Sequence, residues 1–230
     1  MPMFNFKNNF LFFVAHPDDE ILGCGGIMQR ILEAGGKITI CFASLGYGKN
    51  KSKKIAQIRN CLSLIENKRG NKIRVVHLKL RGLYLDTYPK SDLNLKFLKV
   101  INKVKPEYVF THHPGDMNHD HKSVFDAVYV NSRYHKATNK IQGLFTFETL
   151  SSTEWKSFMK KDVFVPNIYV KLSKKQIEIK QNAFKKYTTE IMKYPHPRSK
   201  EGIINLARYR GQTFSTSFAE SFYMVRLFVD

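Results

Sequence analysis

Short apolar runs alternate with helical periodicity along the first two-thirds of the chain. Residues 10–14, 37–43, 73–80 and 108–111 are rich in Val, Ile and Phe and have the length of buried strands. Between them, apolar positions recur at helical spacing over 21–34, which closes on Gly35-Gly36, over 55–67, and over 93–104, which Pro106 stops. A helix over 121–132 and a strand over 143–148 continue the series. This order predicts an α/β fold, a doubly wound and mainly parallel Rossmann-like sheet with right-handed crossovers.

After residue 149 the pattern changes. An extended pair over 162–172 is broken at Pro166-Asn167, and a long basic amphipathic helix is expected over 174–192. The turn Tyr194-Pro195-His196-Pro197-Arg198 follows, then a helix over 200–209 running up to Gly211 and a final strand over 219–229. No repeat, low-complexity linker or composition break divides the chain. The expectation is one domain over 1–230, with a Rossmann-like core at 1–149 and a C-terminal α+β elaboration at 150–230.

Composition narrows the class. With 230 residues and 43% hydrophobic content the chain can bury a sizeable core, and no apolar run approaches the ~20 residues that span a bilayer. The first residues lack the charged and apolar regions of a secretory signal. Three widely spaced cysteines, Cys24, Cys41 and Cys61, make neither a disulfide framework nor a zinc knuckle, so a reduced, cytoplasmic protein is expected. The net charge of +19 permits peripheral contact with an anionic membrane or a phosphorylated substrate. Its lysines are dispersed, with short clusters at 49–54 and 171–175, and no nucleic-acid motif accompanies them; nucleic acid is not an expected partner. A homo-oligomer is compatible with all of this.

Two polar clusters interrupt the pattern. Val14-Ala15-His16-Pro17-Asp18-Asp19-Glu20 follows the first strand, and Thr111-His112-His113-Pro114-Gly115-Asp116-Met117-Asn118-His119-Asp120-His121 follows the fourth. Open α/β sheets bind ligands at such strand ends. Three unpaired ionisable groups there would be costly to bury, whereas imidazole and carboxylate are ligands for a divalent ion such as zinc. Two histidines and one aspartate leave room for water that the ion acidifies, and a spare carboxylate could act as general base. The first cluster alone would also suit a helix-capping turn.

Ala15 to Glu20, together with Asp116-x-Asn118-x-Asp120-His121, resembles the PIG-L / LmbE-like family of zinc-dependent de-N-acetylases. Phe147 to Trp155, His196-Pro197-Arg198-Ser199-x-Glu201-Gly202-Ile203, Leu206-Ala207-x-Tyr209-Arg210-Gly211 and Phe218 to Phe222 extend the likeness, most closely to bacterial sugar-modifying members. The resemblance implies that His16, Asp19 and His121 hold zinc, with Fe2+ or another divalent ion an alternative, and that Asp18 is the general base. It implies a hydrolase that removes the acetyl group of an N-acetylated amino sugar, nucleotide- or lipid-linked, in glycan or glycoconjugate synthesis. Many members carry a histidine where this chain has Asn118. Asparagine can donate to an oxyanion but cannot titrate, which leaves the amine's proton to Asp18, His119 or His196. A non-catalytic metal-containing glycan binder is the alternative reading.

Further candidates carry structural alternatives. Asp120 could orient His121 or a neighbouring group, with His119 a further hydrogen-bond partner, and Asp120 could equally cap the helix that follows. Arg198 and His196, with Asp86 and Glu148, could contact substrate hydroxyls or a phosphate. Gly25-Gly26 lacks phosphate-loop spacing and suits close helix–strand packing.

Overall fold

The computed structural model describes residues 5–47, 50–66, 72–133, 141–156 and 162–228. In chain order the elements are β1 (Asn9–Val14), α1 (Asp19–Glu33), β2 (Lys37–Ser44), α2 (Lys51–Ile65), β3 (Arg74–Leu80), α3 (Lys90–Val104), β4 (Tyr108–His112), α4 (His119–Asn131) and β5 (Gly143–Phe147). Then come β6 (Ile168–Lys171), α5 (Lys174–Phe184), α6 (Lys200–Gln212) and β7 (Ala219–Leu227). Short 3-10 turns lie at Leu85–Thr87 and Glu154–Lys156.

The strands form one sheet in the order β3-β2-β1-β4-β5-β7-β6, parallel from β3 to β5 and antiparallel at β7 and β6. This matches the expected α/β class, and the segment after residue 149 joins the same sheet through β7. Side chains alternate along β1, so Phe10, Phe12 and Val14 pack with α1, α2, α5 and α6 on one face. Leu11, Phe13 and Ala15 pack with α3 and α4 on the other. Phe12, Phe110 and Phe145, on adjacent strands, stack at 4.9 and 5.0 Å. No described helix is long and apolar enough to cross a membrane.

Strand order reverses between β1 and β4. From β1 the chain winds outward through β2 and β3, and from β4 it winds the other way. The crevice at such a switch point is where doubly wound sheets take ligands, and both polar clusters emerge there.

The basic helix expected over 174–192 stops at Phe184. Turns carry the chain onward, with Lys186 N bonding Ala183 O and Tyr187 N bonding Phe184 O, and they direct Tyr187 into the core. Of the extended pair expected over 162–172, only the half after Pro166-Asn167 is a strand. α2 begins at Lys51 because the Asn50 side chain caps it, accepting from Lys53 N at 3.0 Å. The expected element ends at 67 and 229, and Lys49 of the 49–54 cluster, lie outside the described residues.

Helix α1 is threaded by a buried ion pair. Lys180 Nζ lies 2.7 Å from Glu220 Oε1 and donates to Leu22 O at 2.8 Å, while Glu220 accepts from Gly26 N and Ile27 N at 2.6 and 2.7 Å. A Cβ on Gly26 would come 2.3 Å from Leu172 and 2.9 Å from the Glu220 carboxyl, so the Gly25-Gly26 pair serves close packing.

Candidate active site

His16, Asp19 and His121 each offer a ligand atom, and these atoms lie within 4.8 Å of one another. His16 follows β1, Asp19 opens α1, and His121 sits in the first turn of α4. Asp19 Oδ2 accepts the His16 amide at 2.8 Å, and its Oδ1 faces His121 Nε2 at 3.4 Å. Asp19 Oδ1 and His121 Nε2 are buried without a hydrogen bond, which a metal ion between them would remedy. The donor set, two imidazoles and a carboxylate, fits a divalent ion.

The far side of each imidazole is held by a carboxylate. His16 Nε2 bonds Asp120 Oδ2 at 2.7 Å, which leaves Nδ1 facing Asp19. His121 Nδ1 lies 3.2 Å from Asp116 Oδ2, which leaves Nε2 for the cluster. Asp120 also accepts from Leu83 N and Leu85 N at 2.6 and 3.0 Å. Asp116 is gripped by the Ser152 hydroxyl, by Thr153 Oγ1 at 2.8 Å and by Asn118 N at 2.8 Å. The sequence reading gave Asp116 no role. Its signal was its place as the first residue of the Asp116-x-Asn118-x-Asp120-His121 stretch.

His112 is buried against the cluster and stacks on His121 at 3.8 Å. Its Nε2 accepts from Ala15 N at 2.9 Å, so that lone pair is unavailable to a metal. Burial, then the His121 charge, lower its pKa to about 3 and keep it neutral.

Asp18 precedes α1 with φ 124° and ψ −31°, a conformation that strains any residue with a Cβ by about 1–3 kcal/mol. Its carboxylate is buried, and Oδ2 lies 3.1 Å from Arg198 Nη1. Burial and then Asp19 raise its pKa well above the carboxylate range, while Arg198 opposes them. Arg198 thus meets the candidate base directly.

The other expected residues fall in different places. Asn118 caps α4 in the role considered for Asp120, its Oδ1 accepting from Asp120 N at 2.9 Å. His119 is exposed and lies 3.8 Å from Asp86; both line a cavity of about 440 Å³ beside α3 and α4. His196 Nδ1 accepts from Arg198 N at 3.0 Å and holds the turn. Glu148 is clamped by Arg210 at 2.9 and 2.6 Å and by Ser221 Oγ at 2.8 Å.

Without an ion, Asp19 and His121 make a charged pair. Burial works against both charges, but His121 and then His112 hold the Asp19 carboxyl well below its usual range. Burial lowers the His121 imidazolium, and Asp19 and Asp116 outweigh it to raise its pKa to about 10. A metal ion taking the same ligand atoms would displace the His121 proton that this pair favours, so affinity should rise with pH above neutrality. Calorimetric titration with Zn2+ in buffers of different ionisation enthalpy should register about one proton released at pH 7.5; zero release would contradict this.

The model of the PIG-L family, described as GlcNAc-PI de-N-acetylase, matches residues 11–131, more than half of the chain. A curated relative, the uncharacterized deacetylase YaiS of Escherichia coli K12, is 26% identical over 191 residues, covering 80% of this chain and 92% of the relative. The N,N'-diacetylchitobiose deacetylase of Pyrococcus horikoshii superposes with TM-score 0.71 at 14% identity, covering 95% and 84% of the two chains. GalB, a 4-carboxy-2-hydroxymuconate hydratase of Pseudomonas putida KT2440, gives TM-score 0.74 at 16% identity, covering 96% and 98%. The two structures share the fold while their names state different reactions, so the argument for the reaction lies in the site.

Proposed function

Because the chain belongs to the PIG-L (GlcNAc-PI de-N-acetylase) family, we propose that it is a metal-dependent hydrolase of an N-acetylated amino sugar. The observation that carries the proposal is the His16, Asp19 and His121 cluster with the buried Asp18 carboxylate beside it. These three side chains would hold Zn2+, or Fe2+ in its place. A divalent ion bound there supplies a Lewis acid for the acetamide oxygen and lowers the pKa of water.

The chain's own residues then divide the proton work. Asp18 takes a proton from water as its oxygen attacks the acetyl carbon. A carboxylate whose pKa is raised by burial is better suited to this near neutral pH than an ordinary aspartate. Arg198 limits that rise and holds the carboxylate in place. Asn118 directs its carbonyl to Asp120 N, and its Nδ2 would be the group that donates to the developing oxyanion. Asn118 cannot titrate, so Asp18 returns the proton to the nitrogen as the C–N bond breaks. The products are acetate and a free amino sugar.

Glu148 has both carboxylate oxygens held by Arg210 and Ser221, and His196 Nδ1 holds its own turn, so both are left out of the proposed site. A sugar carrying a diphosphate, nucleotide- or lipid-linked, suits the net charge of +19. Such a substrate belongs to glycan or glycoconjugate synthesis. The test is acetate release by the purified protein loaded with Zn2+ or Fe2+ on a panel of free, nucleotide-linked and lipid-linked N-acetyl sugars. Release from one class supports the reading. No release from any of them by metal-loaded protein defeats it.

A further inference from the structure

Glu20 has no part in the reaction above, yet it is completely buried one residue beyond the candidate ligand Asp19. A carboxyl group in such a place needs partners. Its Oε2 accepts the Asp18 amide at 3.0 Å, and its Oε1 accepts the Tyr187 hydroxyl and lies 3.9 Å from Cys61 Sγ. The amide it holds belongs to the residue with φ 124°. A non-glycine residue stays in that region only where its surroundings enforce it.

Tyr187 is itself fixed at several points. It is fully buried, and its carbonyl accepts from Glu190 N and Ile191 N at 2.9 and 3.1 Å. The neighbouring Thr188 accepts from Gln57 Nε2 at 2.9 Å, and Glu190 pairs with Lys54 on α2. The hydroxyl that meets Glu20 therefore comes from a segment tied to α2, and it enters only because α5 ends at Phe184.

We infer that Glu20 is a positioning residue: anchored by Tyr187, it holds the Asp18 peptide in its left-handed conformation and so aims the Asp18 carboxylate at the reacting water. The inference rests on the deacetylase reading for the role of Asp18 alone. Tilting a general base by an ångström costs on the order of 100-fold in rate while leaving substrate binding nearly intact. The geometry around residue 18 is independent of any turnover.

The experiment combines kinetics with crystal structures of Glu20→Ala, Glu20→Gln and Tyr187→Phe. E20A should lower kcat by roughly 100-fold with KM and metal content unchanged, and φ of residue 18 should turn negative. E20Q should recover most of that loss, because its amide oxygen can still accept from Asp18 N and its NH2 can donate to the Tyr187 oxygen. Y187F should fall between the two. In an Asp18→Asn background the E20A change should add less than about twofold, since Glu20 acts through Asp18. Full multiplicative loss in that double variant, or a φ that stays near 124° in E20A, would overturn the inference. If E20A does not fold, Y187F alone and with D18N supplies the same cycle and the same angle. Absence of acetate release by the parent would sink the deacetylase reading, and the angle at residue 18 would still decide the clamp.

Discussion

An Asp18→Asn protein should retain whatever metal the parent binds and lose about 10²- to 10⁴-fold in kcat, the usual worth of a general base. The substitution preserves shape in a site that is buried, so packing around Arg198 and the first turn of α1 is retained. The three candidate ligands, His16, Asp19 and His121, are untouched. What disappears is the oxygen that can accept and return a proton. The amide also leaves Arg198 with Glu190, 3.5 Å away, as its remaining anionic partner, which should cause at most a small change in KM. Acetate release and metal content by mass spectrometry are the paired measurements. Turnover within tenfold of the parent would move the base to another residue. Metal loss would make Asp18 a ligand. An inactive parent whose glycan affinity survives the change would favour a binding protein.

Removing Glu220 should have the largest effect on stability. Glu220→Ala strips the buried Lys180 ammonium of its counter-charge and frees two amides of α1 at once. Breaking a buried pair from one side costs about 3–5 kcal/mol, a large part of the 5–15 kcal/mol that holds a typical domain folded. Lys180→Met should cost less. It removes the ammonium but leaves the Glu220 carboxylate with hydrogen bonds from Gly26 N and Ile27 N. Denaturant unfolding of the two single variants gives both numbers. A loss below about 1 kcal/mol for E220A would mean that Lys180 reaches solvent when its partner is gone.

The alternation of strand runs and helical spacing was enough to place β1, β2, β4, β5, α1, α3 and α4 within a few residues, because each has its own periodic apolar face. The strand-end location of both polar clusters followed from the same pattern. What failed was set at long range. No Gly or Pro marks the end of α5, since residues 185–192 contain neither, and Tyr187 just beyond it meets a glutamate far away in the chain. Of the two loop carboxylates, Asp116 and Asp120, only Asp120 was expected to support a ligand. Only the folded chain assigns one to His121 and the other to His16. Glu148 was weighed as a substrate contact or a structural residue, and its partners Arg210 and Ser221 come from elements much later in the chain. Asn118 was weighed only as a catalytic substitute, although its place before an acidic helical turn is that of a cap.

All candidate ligands and the candidate base lie between residues 11 and 131, the stretch that the family model matches. Several of their supports do not. Ser152 and Thr153 hold Asp116, Tyr187 holds Glu20, Arg198 holds Asp18, and Lys180 with Glu220 braces α1. The stretch that carries the candidate ligands is therefore not a transplantable module. Grafted onto another Rossmann-like scaffold, it would carry the right side chains and lack the scaffolding that points them. A substitution in the last eighty residues can in consequence retune the chemistry without altering a candidate ligand or the candidate base.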